Sequence, residues 1–207
     1  MISYRTETNK GKERWFLSFE GALVSIAIFL KLYFDNKENQ YIQKFIKDNL
    51  NYGKEFFDKY FKENKMFLKE FLEKGSHLNI FTGDYTVSAV TDLESKITES
   101  GIYNCLVHEN KNFSYGRFIN YEHLSQNKNI YFKQKNTSIY EEKLLEYLSN
   151  GKTIIIESKY NGILCEYDLL VASQYLIYYI SNYLNIDISK PTYTEDAMKI
   201  YFYKGDL

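Results

Sequence analysis

A lysine and a glutamate three residues apart, Lys96 and Glu99, are the residues of this 207-residue chain whose types and spacing first suggest chemistry. They lie near the end of a predicted helix, where this separation places both side chains on one face. A carboxylate so placed is a reasonable base for moving a proton between neighbouring carbons, with the ammonium as its electrostatic partner. The alternative is a solvated surface ion pair, and spacing alone does not separate the two.

A group of hydroxyls between a predicted strand and the helix that carries Glu99 forms the first candidate anion site. Thr82, Thr86 and Ser88 lie there, and the free amides at a helix N-terminus attract anions. Asp84 in the same turn would compete for those amides. The simpler interpretation is that Asp84 or Thr86 caps the helix.

The turn after the third predicted strand is the second candidate anion site, because it opens another helix and has lysines on both sides of its first residue. Its polar residues are Gln134, Asn136, Thr137 and Ser138, and the lysines are Lys133 and Lys135. Capping of the next helix by Thr137 or Ser138 is the alternative role.

Histidines and cysteines complete the reactive residue types. His108 at a strand end and His123 in a loop are possible bases, and a structural role is the alternative for each. Cys105 and Cys165 fall in apolar stretches and are expected to be buried thiols. The chain has no CxxC and no Cys/His cluster, so we expect no metal site.

The elements that position these residues begin with helices. Apolar residues at helical spacing predict one helix over 16–33 and another over 41–50. Residues 51–53 are expected to break the chain before a third helix that ends near Leu72. We therefore treat residues 1–75 as a helical lead-in packed on a following domain, residues 76–207.

From residue 77 onward, strands alternate with helices. Strands are predicted at 78–81, 102–107, 130–132 and 153–156, and helices at 86–100, 139–148 and 167–184, with a long loop over 110–127 and a closing strand over 199–204. This order predicts an α/β fold, a three-layer α/β/α sandwich with a parallel, doubly wound sheet, preceded by the N-terminal helices. Ligands bind such sheets beyond the carboxyl ends of the strands.

The segment Thr82-Gly83-Asp84, followed by a helix that ends in Lys96-Ile97-Thr98-Glu99, resembles the first strand, loop and helix of sugar isomerase (SIS) domains. It is most similar to the second, C-terminal SIS domain of the isomerase half of glucosamine-6-phosphate synthase and of related two-SIS proteins. Residues 112–117, 136–148 and 187–191 resemble later family features in the same order. The resemblance covers roughly residues 76–207.

The resemblance implies an aldose–ketose isomerase, or a subunit of one, that moves a proton between C1 and C2 of an open-chain sugar phosphate through an enediol. Glu99 would be the base, Lys96 would hold the intermediate, and the turn over 134–138 would hold phosphate, although the family's Ser-x-Gly-x-Thr is missing. Tyr115 stands where relatives often have a histidine that assists ring opening, and His108 or His123 would have to substitute. Such a reaction needs no cofactor or metal.

Composition and the resemblance together predict the setting. A formal net charge of −1 gives no bulk electrostatic case for nucleic acid or an anionic membrane. The apolar run over 22–30 is too short to span a bilayer, and no secretory segment is evident, so we expect a cytoplasmic protein. Active isomerases of this family pair two SIS domains. The broadly apolar helix over 167–184 therefore predicts a homodimer or a second SIS-domain subunit, with plain core packing as the alternative.

Three hypotheses about function remain open. The first is the isomerase, and the second is a catalytically inactive SIS module that binds a sugar phosphate or nucleotide as a regulator or partner subunit. The third is a structural dimerisation domain without a ligand. Tyr115 and Asp84 favour the inactive module.

Overall fold

The computed structural model describes residues 20–34, 39–72, 77–123, 127–150, 152–188 and 194–201. The strands are β1 (His77–Thr82), β2 (Asn104–Glu109), β3 (Lys128–Lys133) and β4 (Lys152–Glu157). The helices are α1 (Glu20–Tyr33), α2 (Asn39–Glu63), α3 (Lys65–Phe71), α4 (Val87–Glu99), α5 (Asn110–Asn112), α6 (Phe118–His123), α7 (Ile139–Ser149), α8 (Ile163–Leu184) and α9 (Glu195–Tyr201). A kinked turn, Phe113–Arg117, joins α5 to α6.

The strands form one sheet in the order β2-β1-β3-β4, and every neighbouring pair is parallel. The prediction of a parallel sheet is therefore confirmed. Strand β2 begins at Asn104 rather than at 102 because the chain is still closing α4. The Gly101 and Ile102 amides donate to the Thr98 and Ile97 carbonyls at 3.0 and 3.2 Å, and Gly101 takes φ +67°. This pair of bonds is the Schellman motif that ends many helices.

Alternating side chains of the strands build two apolar layers. On one face, Ile80, Ile130 and Ile154 pack against α4 and α8, with α2 and α3 completing that core. On the other face, Phe81 and Tyr131 are covered by α7 and by the segment 110–123. Helices therefore lie on both faces of the sheet, which confirms the three-layer, doubly wound fold.

The predicted break at 51–53 is wrong, because α2 continues through it without interruption. Gly53 lies where α2 crosses α8, and a Cβ there would stand 2.8 Å from Cδ2 of Tyr175 and 3.1 Å from Cγ1 of Val171. The glycine thus permits close helix packing rather than a turn. Phe57 of α2 shares its core with Leu78 of β1. The domain boundary near residue 75 stays a prediction.

Two other segments differ from the sequence prediction. Residues 110–127 are not a long loop, because α5, the kinked turn and α6 occupy 110–123, with Gly116 at φ +120° making the kink possible. The tail is helical over 195–201, so no strand forms there, and residues 202–204 lie outside the described part. Thr194 Oγ1 accepts a hydrogen bond from the Ala197 amide at 3.2 Å, which is an N-cap contact. Within the described residues no helix has the length and apolar character to cross a membrane.

Candidate functional site

The carboxyl ends of β1 and β3 mark the place where the topology changes direction. From β1 the chain crosses by way of α4 to β2, and from β3 it crosses by way of α7 to β4 on the other side of the sheet. In open α/β sheets, such a switch point leaves a crevice between the two loops that ligands use. Here the loops are the turns at 83–86 and 134–138, and we name the space between them the switch-point crevice.

The hydroxyls after β1 hold their own turn together. Thr82 Oγ1 and Thr86 Oγ1 lie 2.8 Å apart, and Thr86 Oγ1 also accepts from the Gly83 amide at 2.9 Å. Both threonines are buried. Thr82 and Thr86 therefore lie at the crevice, but their hydroxyls are engaged with each other and with the backbone.

A carboxylate supplied by the chain lies near the N-terminus of α4. It belongs to Glu166, which comes from the first turn of α8. Burial raises the pKa of Glu166 above its usual range, and interaction with the Ser88 hydroxyl and amide offsets only part of that effect. Glu166 Oε2 is buried with no hydrogen-bond partner among the described residues. Glu166 therefore lies beside Ser88, where the sequence suggested a phosphate.

The turn after β3 is tied to the turn after β4. Gln134 Oε1 accepts from the Gly162 amide at 3.3 Å, and Asn161 Oδ1 accepts from the Asn136 amide at 2.8 Å. Thr137 is half-buried. These contacts fix the backbone of the predicted phosphate turn.

Ser138 and Glu141 form a reciprocal cap at the start of α7. Ser138 Oγ accepts from the Glu141 amide at 3.2 Å, and Glu141 Oε2 accepts from the Ser138 amide at 2.9 Å. The capping alternative for Ser138 is thus what the structure shows. The Ser-x-x-Glu spacing is the sequence signature of this capping box and would have identified Glu141 before the structure was known.

Glu141 is the residue at the crevice that the sequence analysis missed. A Cβ on Gly83 would stand 2.7 Å from Glu141 Oε1 and 2.9 Å from Asn110 Nδ2, so the carboxylate lies directly against the β1 turn. Asn110 Nδ2 donates to the Tyr131 hydroxyl at 2.8 Å and approaches Glu141 Oε1 at 3.5 Å. Burial, followed by the Glu141 charge, raises the pKa of Tyr131 well above its usual value.

Two carboxylates contribute negative charge at the crevice. Glu141 and Glu166 each lie in the first turn of a helix, where the helix dipole favours a negative charge. Lys133 is paired with Glu157 at 3.2 Å, and Lys135 is exposed. An external anion at the start of α7 would therefore lie beside the Glu141 carboxylate.

Lys96 and Glu99 lie at the opposite edge of the sheet from the crevice. A helix that joins two parallel strands runs back toward their amino ends, so the last turn of α4 is near the start of β2. The expectation that Glu99 and the 134–138 turn share one cleft within the chain is wrong for this reason. Their catalytic roles stay predictions that this placement does not support.

The two side chains also have separate environments. Lys96 is 5% exposed and pairs with Asp92, whose other oxygen accepts from Ser173 Oγ at 3.0 Å and from Gln174. This buried network joins α4 to α8. Glu99 is exposed and accepts from Ser95 Oγ at 2.7 Å.

His108 is not at the crevice. It lies on the sheet face covered by α5 and α6. There the centroid of its ring is 5.1 Å from the ring centroid of Phe81 and 5.3 Å from that of Phe113. Burial, together with the charge of Arg117, lowers its pKa from 6.5 to about 4. Tyr115 is 87% exposed. No group of three metal-ligating side chains occurs in the described ranges.

No family model matches the sequence, and no curated protein matches it at a significant level. Among solved structures, the chain is similar to glucosamine-6-phosphate deaminase from Thermotoga maritima, with a TM-score of 0.57 and 15% identity. That match covers 90% of this chain and 58% of the deaminase, so this chain spans little more than half of that enzyme's length.

A second similar structure is E. coli CFT073 c3406 in complex with a sugar phosphate, with a TM-score of 0.50 and 12% identity, covering 82% of this chain and 100% of that one. A candidate sugar-phosphate isomerase from Listeria monocytogenes overlaps over 67% of this chain and 81% of its own, with 10% identity and a TM-score of 0.46, which is too low to add to the assignment. The likeness to the first two shows that this chain shares their α/β fold.

Proposed function

We propose that this chain is a SIS-type module that binds a sugar phosphate at the switch-point crevice without isomerising it. The observation that carries the proposal is the separation of two groups that an isomerase would unite. The polar turns 83–86 and 134–138 meet at the carboxyl edge of the sheet, whereas Glu99 is at the opposite edge. The resemblance of residues 82–99 to the second SIS domain of the synthase supports the ligand class.

The ligand would enter where the chain now places its own carboxylates. Its phosphate takes the amides at the start of α7 once the Glu141 side chain turns away, with exposed Lys135 beside it. Gln134, Asn136 and Thr137 supply polar groups for the sugar. Thr82 and Thr86 keep the facing turn rigid rather than contacting the ligand.

A matched pair of glutamine variants tests this placement. Glu141→Gln keeps an acceptor for the α7 cap but removes a negative charge from the crevice, so sugar-phosphate affinity should rise about tenfold. Glu142→Gln makes the same change one residue later, on an exposed position of the same helix turn, and should leave affinity unchanged.

Titration calorimetry measures both variants against two probe compounds. Glucosamine 6-phosphate is the compound named for the similar deaminase, and arabinose 5-phosphate provides a pentose phosphate for comparison. Equal affinity of wild type and both variants, or no binding to any of them, contradicts the proposal.

The isomerase remains the second candidate, because one carboxylate does reach the crevice. Glu141 Oε1 lies against Gly83 and 3.5 Å from Asn110 Nδ2, so Glu141 would be the base that moves the proton between C1 and C2. A catalytic Glu99 would instead need a second chain to bring it to a crevice.

Turnover separates these hypotheses. An aldose–ketose assay in which Glu141→Gln loses activity while Glu99→Gln keeps it would establish the isomerase with Glu141 as base. Loss in Glu99→Gln alone would restore the base predicted from the sequence and place the site between two chains. Absence of turnover in wild type that nevertheless binds the sugar phosphate supports the module. A thermal-shift panel in which no phosphorylated sugar stabilises the chain favours the structural dimerisation domain.

A further inference from the structure

The turn after β4, residues 158–162, is bonded to the end of β3 and to the turn after β3, and we name it the β4 turn. The Ser158 amide donates to the Lys133 carbonyl at 2.9 Å, and the Lys135 amide donates to the Tyr160 carbonyl at 3.0 Å. Two side-chain bonds described for the candidate site join the same two turns. The backbone after β3 therefore follows the conformation of the β4 turn.

One carboxylate, that of Asp168 in α8, holds the β4 turn. Ser158 Oγ donates to Asp168 Oδ2 at 2.6 Å, and the Lys159 amide donates to the same oxygen at 3.1 Å. Ser158 Oγ also accepts from the Tyr160 amide at 3.0 Å. A single carboxylate oxygen thus orients three successive residues, either directly or through one hydroxyl.

The bonds to Asp168 are sheltered from water. Asp168 and Ser158 are 8% and 1% exposed, and a hydrogen bond to a carboxylate is stronger than one between neutral groups. Burial raises the pKa of Asp168, and the bonds from Ser158 and Lys159 offset part of that effect. Because Asp168 is buried among these partners, it would act on the crevice through the β4 turn rather than by contact with a ligand.

The β4 turn also contacts aromatic rings of α2. The ring centroid of Tyr160 is 4.9 Å from that of Phe45, and Lys159 Nζ lies 3.0 Å from the ring centroid of Tyr52. Ring contacts tolerate small rotations, whereas a hydrogen bond weakens as the angle at its hydrogen bends. The orientation of the peptide groups in the β4 turn therefore depends on Asp168 more than on α2.

We infer that Asp168 is a positioning residue for the switch-point crevice. It fixes the β4 turn, and the β4 turn fixes the backbone at 134–136 in the orientation that ligand binding needs. The effect on this backbone requires no ligand and is tested in the free protein, whereas the effect on affinity rests on the proposed sugar-phosphate function. The two effects are therefore measured separately.

Hydrogen exchange, measured by NMR on the full chain without ligand, tests the effect on the backbone. Ser158→Ala removes the hydroxyl between Asp168 and the Tyr160 amide. The Lys135 and Asn136 amides should then exchange about tenfold faster than in wild type, because the acceptors that hold them belong to the β4 turn.

Ser173→Ala is the matched control for Ser158→Ala. Ser173 is also a buried serine, and its hydroxyl donates at 3.0 Å to Asp92, a carboxylate that joins α8 to α4 rather than to the β4 turn. This variant should leave the exchange of both amides unchanged. No acceleration in Ser158→Ala, or equal acceleration in the two variants, overturns the inference.

Two substitutions of Asp168 separate its hydrogen bonds from its bulk. Asp168→Ala should accelerate exchange of the same two amides at least as much as Ser158→Ala does. Asp168→Asn keeps a side-chain oxygen that can accept from both the Ser158 hydroxyl and the Lys159 amide, so exchange should stay close to wild type. Exchange in Asp168→Asn as fast as in Asp168→Ala contradicts positioning through these bonds.

Calorimetry with glucosamine 6-phosphate tests the effect on affinity. Ser158→Ala should bind this compound about tenfold more weakly than wild type, whereas Ser173→Ala should match wild type. Unchanged affinity of Ser158→Ala despite faster exchange overturns the positioning role. Absence of binding in wild type contradicts the proposed function instead, and the exchange rates then decide alone whether Asp168 orders this backbone.

Discussion

The imidazole of His108 is held neutral by its surroundings, and this affects stability at acid pH. Burial and Arg117 lower its pKa from 6.5 to about 4 in the folded chain. Between pH 6.5 and about pH 4, His108 is therefore protonated in the unfolded chain but neutral in the folded chain. The free energy of unfolding is therefore highest above pH 6.5 and declines as the pH falls from 6.5 to about 4.

We predict that wild type loses roughly 2 kcal/mol more than His108→Gln between pH 6.5 and 4, after allowance for solvent screening. Urea unfolding across this range measures the difference, and subtracting the two curves cancels the acidic groups that titrate in both proteins. Parallel curves would show that His108 titrates normally in the folded state.

Lys96 and Glu99 differ in what their removal should do to the fold. Lys96→Met leaves Asp92, whose side chain is 10% exposed, without its counter-ion and should lower the free energy of unfolding by about 3 kcal/mol. Glu99→Gln changes an exposed side chain and should stay within about 0.5 kcal/mol of wild type. Denaturant unfolding measures both, and similar effects would mean that Lys96 is not a structural residue.

The close crossing of α2 and α8 depends on Gly53, which has no side chain. Alanine is the better helix former by about 1 kcal/mol, yet Gly53→Ala should destabilise the protein by roughly 1–3 kcal/mol, since the new Cβ overlaps Tyr175 and Val171. Lys54→Ala, on the exposed neighbouring position, provides the control. A Gly53→Ala variant as stable as wild type would mean that α8 moves aside at little cost.

Helices and strands were easier to predict than single residues whose role depends on a neighbouring helix or strand. The strands were identifiable because apolar runs alternate with amphipathic helices, and the order of those elements implied the parallel sheet. Gly53 was misjudged because a glycine within a helical pattern looks like a break until the packing partner is known. The kinked turn at Phe113–Arg117 was likewise interpreted as a loop, since its structure depends on one glycine at φ +120°.

The candidate site was only partly predictable, because it depends on how strand ends and helix ends from distant parts of the chain are arranged in the whole molecule. The turns 82–88 and 134–138 were identified because strand ends meet at one edge of a parallel sheet. Glu99 was misplaced because its role was taken from a resemblance in spacing, although the predicted strand–helix–strand order already places the last turn of such a helix near the amino ends of the strands. Glu166 was missed because its importance depends on which helix N-terminus it reaches in three dimensions, whereas the Ser-x-x-Glu spacing of Ser138 and Glu141 was a signal present in the sequence.

Self-association of the chain stays a prediction. On α8, Tyr178 and Tyr183 are 53% and 42% exposed, although most of the helix is buried in its own core. We expect sedimentation velocity at micromolar concentrations to detect a dimer, as the resemblance to two-SIS proteins implies. A monomer that still binds sugar phosphate would show that the crevice is complete within one chain.

A row of hydrogen-bonded polar side chains on neighbouring strands, formed by Thr153, Asn129, Asn79 and His108, has a consequence for how the sheet assembles. These side chains must all emerge on the same face, and each must meet its partner across a neighbouring strand. A strand that slid by one position would turn its polar side chain into the apolar layer under α4 and α8, at the cost of a buried unpaired polar group. This row thus disfavours misaligned sheets that the apolar side chains alone would tolerate.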